Sequence, residues 1–164
     1  MRNLSAPGMK IAGAVGASNA SAQPLTEAQA HAMIDPWYSQ FNVATRGDVK
    51  AVHDLVIAPE YQSCSGCLPS ECWGRDTSIK VIENFAASIP DMTFDIKEVL
   101  ISGNRVIVRS EVSGTPSGVL FGAPYTGKSF KIMALDIQTI QDGKIINTFH
   151  MENWLSALAQ LRAQ

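Results

Sequence analysis

The spacing of apolar positions changes near residue 92. Before it they recur at three- and four-residue steps, after it they alternate, and a last helical stretch closes the chain. Behind Pro24, Thr26 can cap a helix whose apolar set is Ala30, Met33, Ile34, Trp37, Tyr38 and Phe41. Pro36 interrupts that set, so either one helix kinks there or a first helix ends at Asp35 and Pro36 opens a second. Gly47 and then Asp48 give a stop and a fresh cap for VKAVHDLVI, with Val49, Val52, Leu55 and Val56 on one side and Pro59 as its end. Gly74 and Asp76 introduce TSIKVIENFAASI, whose stripe is Ile79, Ile82, Phe85 and Ile89.

From Met92 the period is two. MTFDIKEVLIS, a Gly103-Asn104 turn and RVIVRSEVSG read as paired strands; a Gly/Pro-rich connection, TPSGVLFGAPYTGKS, leads to FKIMALDIQTI and KIINTFHM around Gln141-Asp142-Gly143. Asn153 can cap a final helix carrying Trp154, Leu155, Leu158 and Leu161. Helices followed by a run of antiparallel strands predict an α+β domain, with helices on one face of a curved sheet.

Length and charge narrow the picture. The 164 residues suit one domain, assigned to residues 24–164. Residues 1–23 are set apart: Arg2 and Lys10 precede IAGAVGASNASAQP, where Ala20-Ser21-Ala22 matches a signal-cleavage pattern, so this stretch is a flexible leader or a signal peptide. The protein is accordingly cytoplasmic, or periplasmic or secreted if residues 1–22 are a cleaved signal. Thirteen Lys and Arg against fifteen Asp and Glu, with no basic run, argue against nucleic acid or an anionic membrane as partner. No apolar run is long enough to span a bilayer. The three cysteines, Cys64, Cys67 and Cys72, lack a fourth zinc ligand nearby; one loop disulfide with a leftover thiol is expected after export, and three thiols in the cytoplasm.

The hairpin of residues 136–154 carries two titratable groups, Asp136 and His150, in an apolar setting. A two-residue Asp142-Gly143 loop would pair Gln141 with Lys144 and put the two on opposite faces. A three-residue loop with a bulge at Gly143 would pair Ile140 with Lys144 and put them on one face as diagonal neighbours. Ile145 and Ile146 make both faces partly apolar, so local pattern leaves both registers open.

GVLFGAPYTGKSF, DIQTIQDGKI and FHMENWLSALAQL, in this order and spacing, resemble the SnoaL-like polyketide cyclases, or ester cyclases, of the nuclear transport factor 2-like superfamily; with FNVATRGDVKAVHDLVIAPEYQS the resemblance covers about residues 37 to 162. It implies a cone-shaped α+β barrel, a curved antiparallel sheet wrapped around N-terminal helices with a deep apolar central pocket, commonly dimeric or tetrameric, with a small-molecule substrate and neither metal nor organic cofactor. It also implies the same-face register. In cyclases of that family an acid on the second hairpin strand drives an intramolecular aldol condensation, and a histidine on the first strand faces the same pocket. Here the types are exchanged, His150 standing for the acid and Asp136 for the histidine, and Cys64 stands where relatives often carry histidine.

An imidazole can remove a proton alpha to a carbonyl and protonate the developing alkoxide near neutral pH, while a carboxylate fixes its tautomer, so His150 and Asp136 are the expected catalytic pair. The plainer alternative is an Asp-His hydrogen bond bracing the sheet. Trp37, Phe121, Tyr125 and Met133 are expected to line the pocket, given the resemblance. Arg109, pointing with Glu111 away from Val106, Val108 and Val112, either holds a substrate carbonyl or carboxylate or pairs with an acid. His53 is expected to be a structural core residue. The rivals are a non-catalytic ligand-binding or dimerisation module, and a dehydratase, isomerase or epoxide hydrolase of the same fold.

Overall fold

The computed structural model describes residues 24–163, so the leader or signal assigned to residues 1–23 lies outside the described residues. Helix α1, Glu27–Ser39, opens with a reciprocal cap in which the Thr26 hydroxyl accepts from the Gln29 amide at 3.2 Å and the Gln29 side chain accepts from the Thr26 amide at 2.9 Å. Pro36 stays inside this one helix. It lies in the last turn, where a missing amide costs one backbone bond rather than a broken element. Asp48 caps α2, Val49–Val56, through the Ala51 amide at 3.1 Å. Val49, His53 and Val56 face inward, whereas Leu55 is 59% exposed. At about 100° per residue Leu55 lies roughly 120° around the helix from Val49, which corrects its expected place on the apolar side.

Two strands that the pattern does not predict follow: β1, Ile57–Cys64, and β2, Cys72–Gly74. Pro59 looks like a stop, yet β1 pairs with the rest of the sheet only at Ile57 and again from Gln62, so the proline falls in the irregular stretch between and no ladder bond is lost. Helix α3, Arg75–Ser88, comes next. Then come β3, Thr93–Ser102; β4, Arg105–Gly114; β5, Phe130–Gln141; β6, Lys144–Glu152; and α4, Trp154–Arg162, capped by Asn153 through the Ser156 amide at 3.1 Å.

The six strands form one curved, unclosed sheet in the order β2-β1-β6-β5-β4-β3. It is mixed: β1 runs parallel to β6, and every other pairing is antiparallel. The even-numbered residues of β4 and β5 face inward, among them Val106, Val108 and Val112, with Ile132 and Ala134, and they meet Ala30, Ile34, Trp37 and Tyr38 of α1, Val56 of α2 and Ile82 of α3 in one core. The same alternation sends odd-numbered β5 residues outward, so the inner face of β5 offers its polar side chains, Asp136 and Gln138, to the helix side.

Candidate functional site

The hairpin takes neither of the two registers that local pattern allows. Asp142 and Gly143 both have positive φ, 51° and 71°, the requirement of a two-residue type I′ turn, and Gln141 pairs with Lys144 and Ile140 with Ile145. Thr139 then pairs with Asn147, leaving Ile146 as an extra residue in β6. The bulge reconciles Ile145 and Thr148, three positions apart and both buried, with one inner face. Beyond it Asp136 stands directly opposite His150.

His150 Nδ1 lies 3.2 Å from Asp136 Oδ1, and Tyr38 donates its hydroxyl to Asp136 Oδ2 at 2.6 Å. Gln138 Nε2 donates to the Tyr38 oxygen at 3.3 Å, and His150 Nε2 lies 3.7 Å from Glu152 Oε2. Burial foremost, and then the Asp136 charge, pushes the Tyr38 phenol far above its ordinary range, so it remains a donor. With both carboxylate oxygens of Asp136 engaged, the neutral imidazole carries its proton on Nδ1 and leaves Nε2 bare. Burial is the largest influence on His150 and pulls its pKa down, but the Asp136 hydrogen bond with the Glu152 and Asp136 charges outweighs it and the net shift is upward. Glu152 is raised, first by burial and then by the Asp136 charge, against the opposing pull of His150 and the Trp154 side chain.

Asp136, His150 and Glu152 look into a cavity with an aromatic-rich wall: Trp37, Phe41, Trp73, Phe85, Phe94 and Trp154. The space between the walls, counted out to the solvent at the mouth, is about 580 Å³. Asp136, His150, Glu152 and Thr148 form polar patches on it, with Ser63 and Ser78. Thr148 accepts from Tyr61, whose buried phenol is pushed up to about 12 by burial first.

Trp37 lines this cavity as expected, while Arg109, Phe121, Tyr125 and Met133 do not. Arg109 is on the outer face and donates to Glu98 at 3.1 Å. Met133 differs from Asp136 by an odd number of strand positions and is 56% exposed on the opposite face. Phe121 sits at the exposed tip of the Leu120–Ala123 turn and meets Trp154 and Phe85 edge-on, ring centres 5.0 and 6.1 Å away, without lining the cavity itself. Tyr125 is exposed in the same connection.

Cys64 and Cys72 are cross-strand partners joined by a disulfide, and Cys67 is a free, exposed thiol. The bridge ties the edge strand bearing Trp73, another cavity residue, to β1. Among the described residues no three His, Cys, Asp or Glu side chains are grouped to hold a metal ion, and no helix is long and apolar enough to cross a membrane. Tyr38, Glu152 and Ser78 are site residues that the sequence reading passes over. Glu152 is recoverable, because a residue two positions from His150 on a strand shares its face.

Comparison with known proteins agrees with this architecture. The family model described as SnoaL-like polyketide cyclase matches residues 33–161. The chain belongs to the SnoaL-like polyketide cyclase family. TsrD from Streptomyces laurentii is similar in structure, with a TM-score of 0.72 and 22% identity over 85% of this chain and 99% of that one. IdmH from Streptomyces antibioticus, a candidate polyketide cyclase, gives 0.67 and 26% over 79% of this chain and 95% of its own. A SnoaL-like protein from Jannaschia sp. CCS1 gives 0.73 and 17% over 87% and 99%. These likenesses carry the fold. No curated protein matches the chain.

Proposed function

We propose that this SnoaL-like protein binds a small, largely apolar carbonyl compound in its aromatic cavity and closes a ring on it by acid/base chemistry at His150. One observation carries the reading: an imidazole with a carboxylate on Nδ1, at 3.2 Å, set in the wall of an aromatic-rich cavity. Nε2 takes the proton alpha to a carbonyl, and the enolate carbon bonds to a second carbonyl carbon of the same molecule. The alkoxide so formed recovers the proton from Nε2, so the product is an isomer of the substrate. Asp136 holds the tautomer and stabilises the imidazolium, and Glu152 adds a second negative neighbour. Such a positioned base contributes about 10²–10⁴-fold. The experiment is α-proton exchange of 1-tetralone in D2O followed by NMR: the protein accelerates exchange and folded His150→Gln does not. Equal rates with the two proteins would remove His150 from the chemistry.

A second reading, a binding module without turnover, is favoured by the walls themselves, since six aromatic side chains supply affinity without any proton transfer. It predicts saturable binding of the ketone with no exchange above the buffer rate.

For the partner, the reading is a second copy of this chain on the outer face of the sheet. Leu100, Ile107, Ile137 and Phe149 are successive cross-strand neighbours, with Leu135 and Met151 beside them. Phe149 and Met151 are 45% and 63% exposed, so this face is a contiguous apolar band. The Arg109–Glu98 pair beside it offers a charge of each sign that a two-fold-related copy can meet with its opposite.

A further inference from the structure

The catalytic reading makes no use of the hydrogen-bonded pair of His53 and Ser78. His53 of α2 is fully buried against the Trp37 ring, at 5.3 Å between centres, and Ser78 of α3 lines the cavity. His53 Nδ1 lies 2.9 Å from the Val49 carbonyl oxygen, and Nε2 lies 3.3 Å from Ser78 Oγ. A carbonyl can only accept, so the ring proton is on Nδ1. Burial is the largest influence on His53 and lowers its pKa, which leaves the ring neutral and Nε2 bare. The bond between Nε2 and Ser78 must then be donated by the serine. A hydroxyl has one proton, and this one is committed to His53; turning it into the cavity would strand a buried ring nitrogen, which costs more than an ordinary hydrogen bond returns.

What Ser78 offers the cavity is therefore lone pairs alone. The hydroxyl of Thr148, on the same cavity, is of the other kind: its oxygen already accepts from Tyr61 at 3.0 Å, and its own proton remains free to donate. Asp136 is occupied by Tyr38 and His150. We propose that Ser78, held by His53, is a specificity residue that accepts a hydrogen bond from a hydroxyl of the ligand, so that the cavity prefers phenolic or enolic molecules to isosteres with a methyl in that place. This rests on the reading of the cavity as a ligand site, and it gives that site a substrate class.

The test is NMR titration of the full protein with phenol and with toluene, which match in shape and differ in the donor. The ratio of the two affinities should shift against phenol by about fivefold in Ser78→Ala, the size of one neutral hydrogen bond. It should be kept in Ser78→Thr, which retains the hydroxyl, and in Glu152→Met and His150→Phe, each of which removes a rival acceptor on the cavity. A ratio unchanged in Ser78→Ala, or lost in Glu152→Met or His150→Phe, overturns the proposal and leaves the cavity as a binding site. Failure of both compounds to bind overturns the binding-site reading and this one with it. Should Ser78→Ala not fold, the unmodified protein decides: long-range proton–nitrogen correlation must show His53 neutral and protonated on Nδ1 near neutral pH, and an Nε2-protonated or charged ring sinks the proposal.

Discussion

Asp136 and His150 are paired directly across β5 and β6, carboxylate to imidazole at 3.2 Å, and the phenol of Tyr38 meets the other carboxylate oxygen at 2.6 Å. Asp136 is thus a hub with one partner from a helix and one from a strand, and the pair inherits the rigidity of both.

Replacing Asp136 by Asn should lower the His150 pKa. The carboxylate supplies both the hydrogen bond and part of the negative potential that raise it, and burial, the largest influence, then acts with only Glu152 in opposition. Titration of the His150 ring protons by NMR checks this; an unmoved midpoint would mean that Glu152 alone holds the ring.

Stability should fall as the solution becomes alkaline. The folded pKa of His150 lies above the unfolded value of 6.5, so its contribution is complete below that value and disappears as pH rises through the folded one. Glu152, also raised, loses its contribution in the same direction once it ionises inside the fold. Urea midpoints at about pH 6 and pH 9 should therefore differ less in His150→Gln than in the unmodified protein.

Tyr38→Phe should cost about 1–3 kcal/mol in chemical denaturation, because it leaves a buried carboxylate oxygen and the Gln138 amide without their shared partner. A change below about 0.5 kcal/mol would mean that water enters and replaces the phenol.

Reduction of the Cys64–Cys72 bridge, which closes a loop with a sequence separation of 8, should lower stability by about 2–3 kcal/mol on the chain-entropy account. Melting with and without reductant, beside Cys64→Ala/Cys72→Ala in which reductant has nothing to act on, measures it.

Phe149→Asp should shift the protein to monomer in sedimentation while leaving its circular dichroism unchanged, since the side chain is 45% exposed on the outer face. A mass equal to the unmodified protein's would exclude this face as the contact between copies.

The sequence is most legible where local chemistry decides the structure. Thr26, Asp48 and Asn153 cap helices as their side chains predict, and the alternation from Met92 onward places β3 to β6. It is least legible where a distant partner decides. Segment 57–64 has no period of its own and becomes a strand because β6 offers it a parallel edge. The catalytic candidates were visible as residue types, but their alignment required a bulge that neither turn chemistry nor the Ile145-Ile146 pair announces. Met133 and Arg109 could have been set aside from their odd numbering in strands whose inner residues are even; Tyr38 reads from sequence as one more core aromatic, and only contact with residue 136 distinguishes it.

Ile146 has a last consequence. A strand shorter by that one residue would run from the turn to His150 in strict alternation and keep His150 opposite Asp136, whereas a strand of full length with the bulge flattened would set Phe149 there, turning His150 and Glu152 out to solvent and bringing Phe149 and Met151 inside. The surplus residue works as a spacer: the interior chemistry survives its deletion but not its absorption into the ladder.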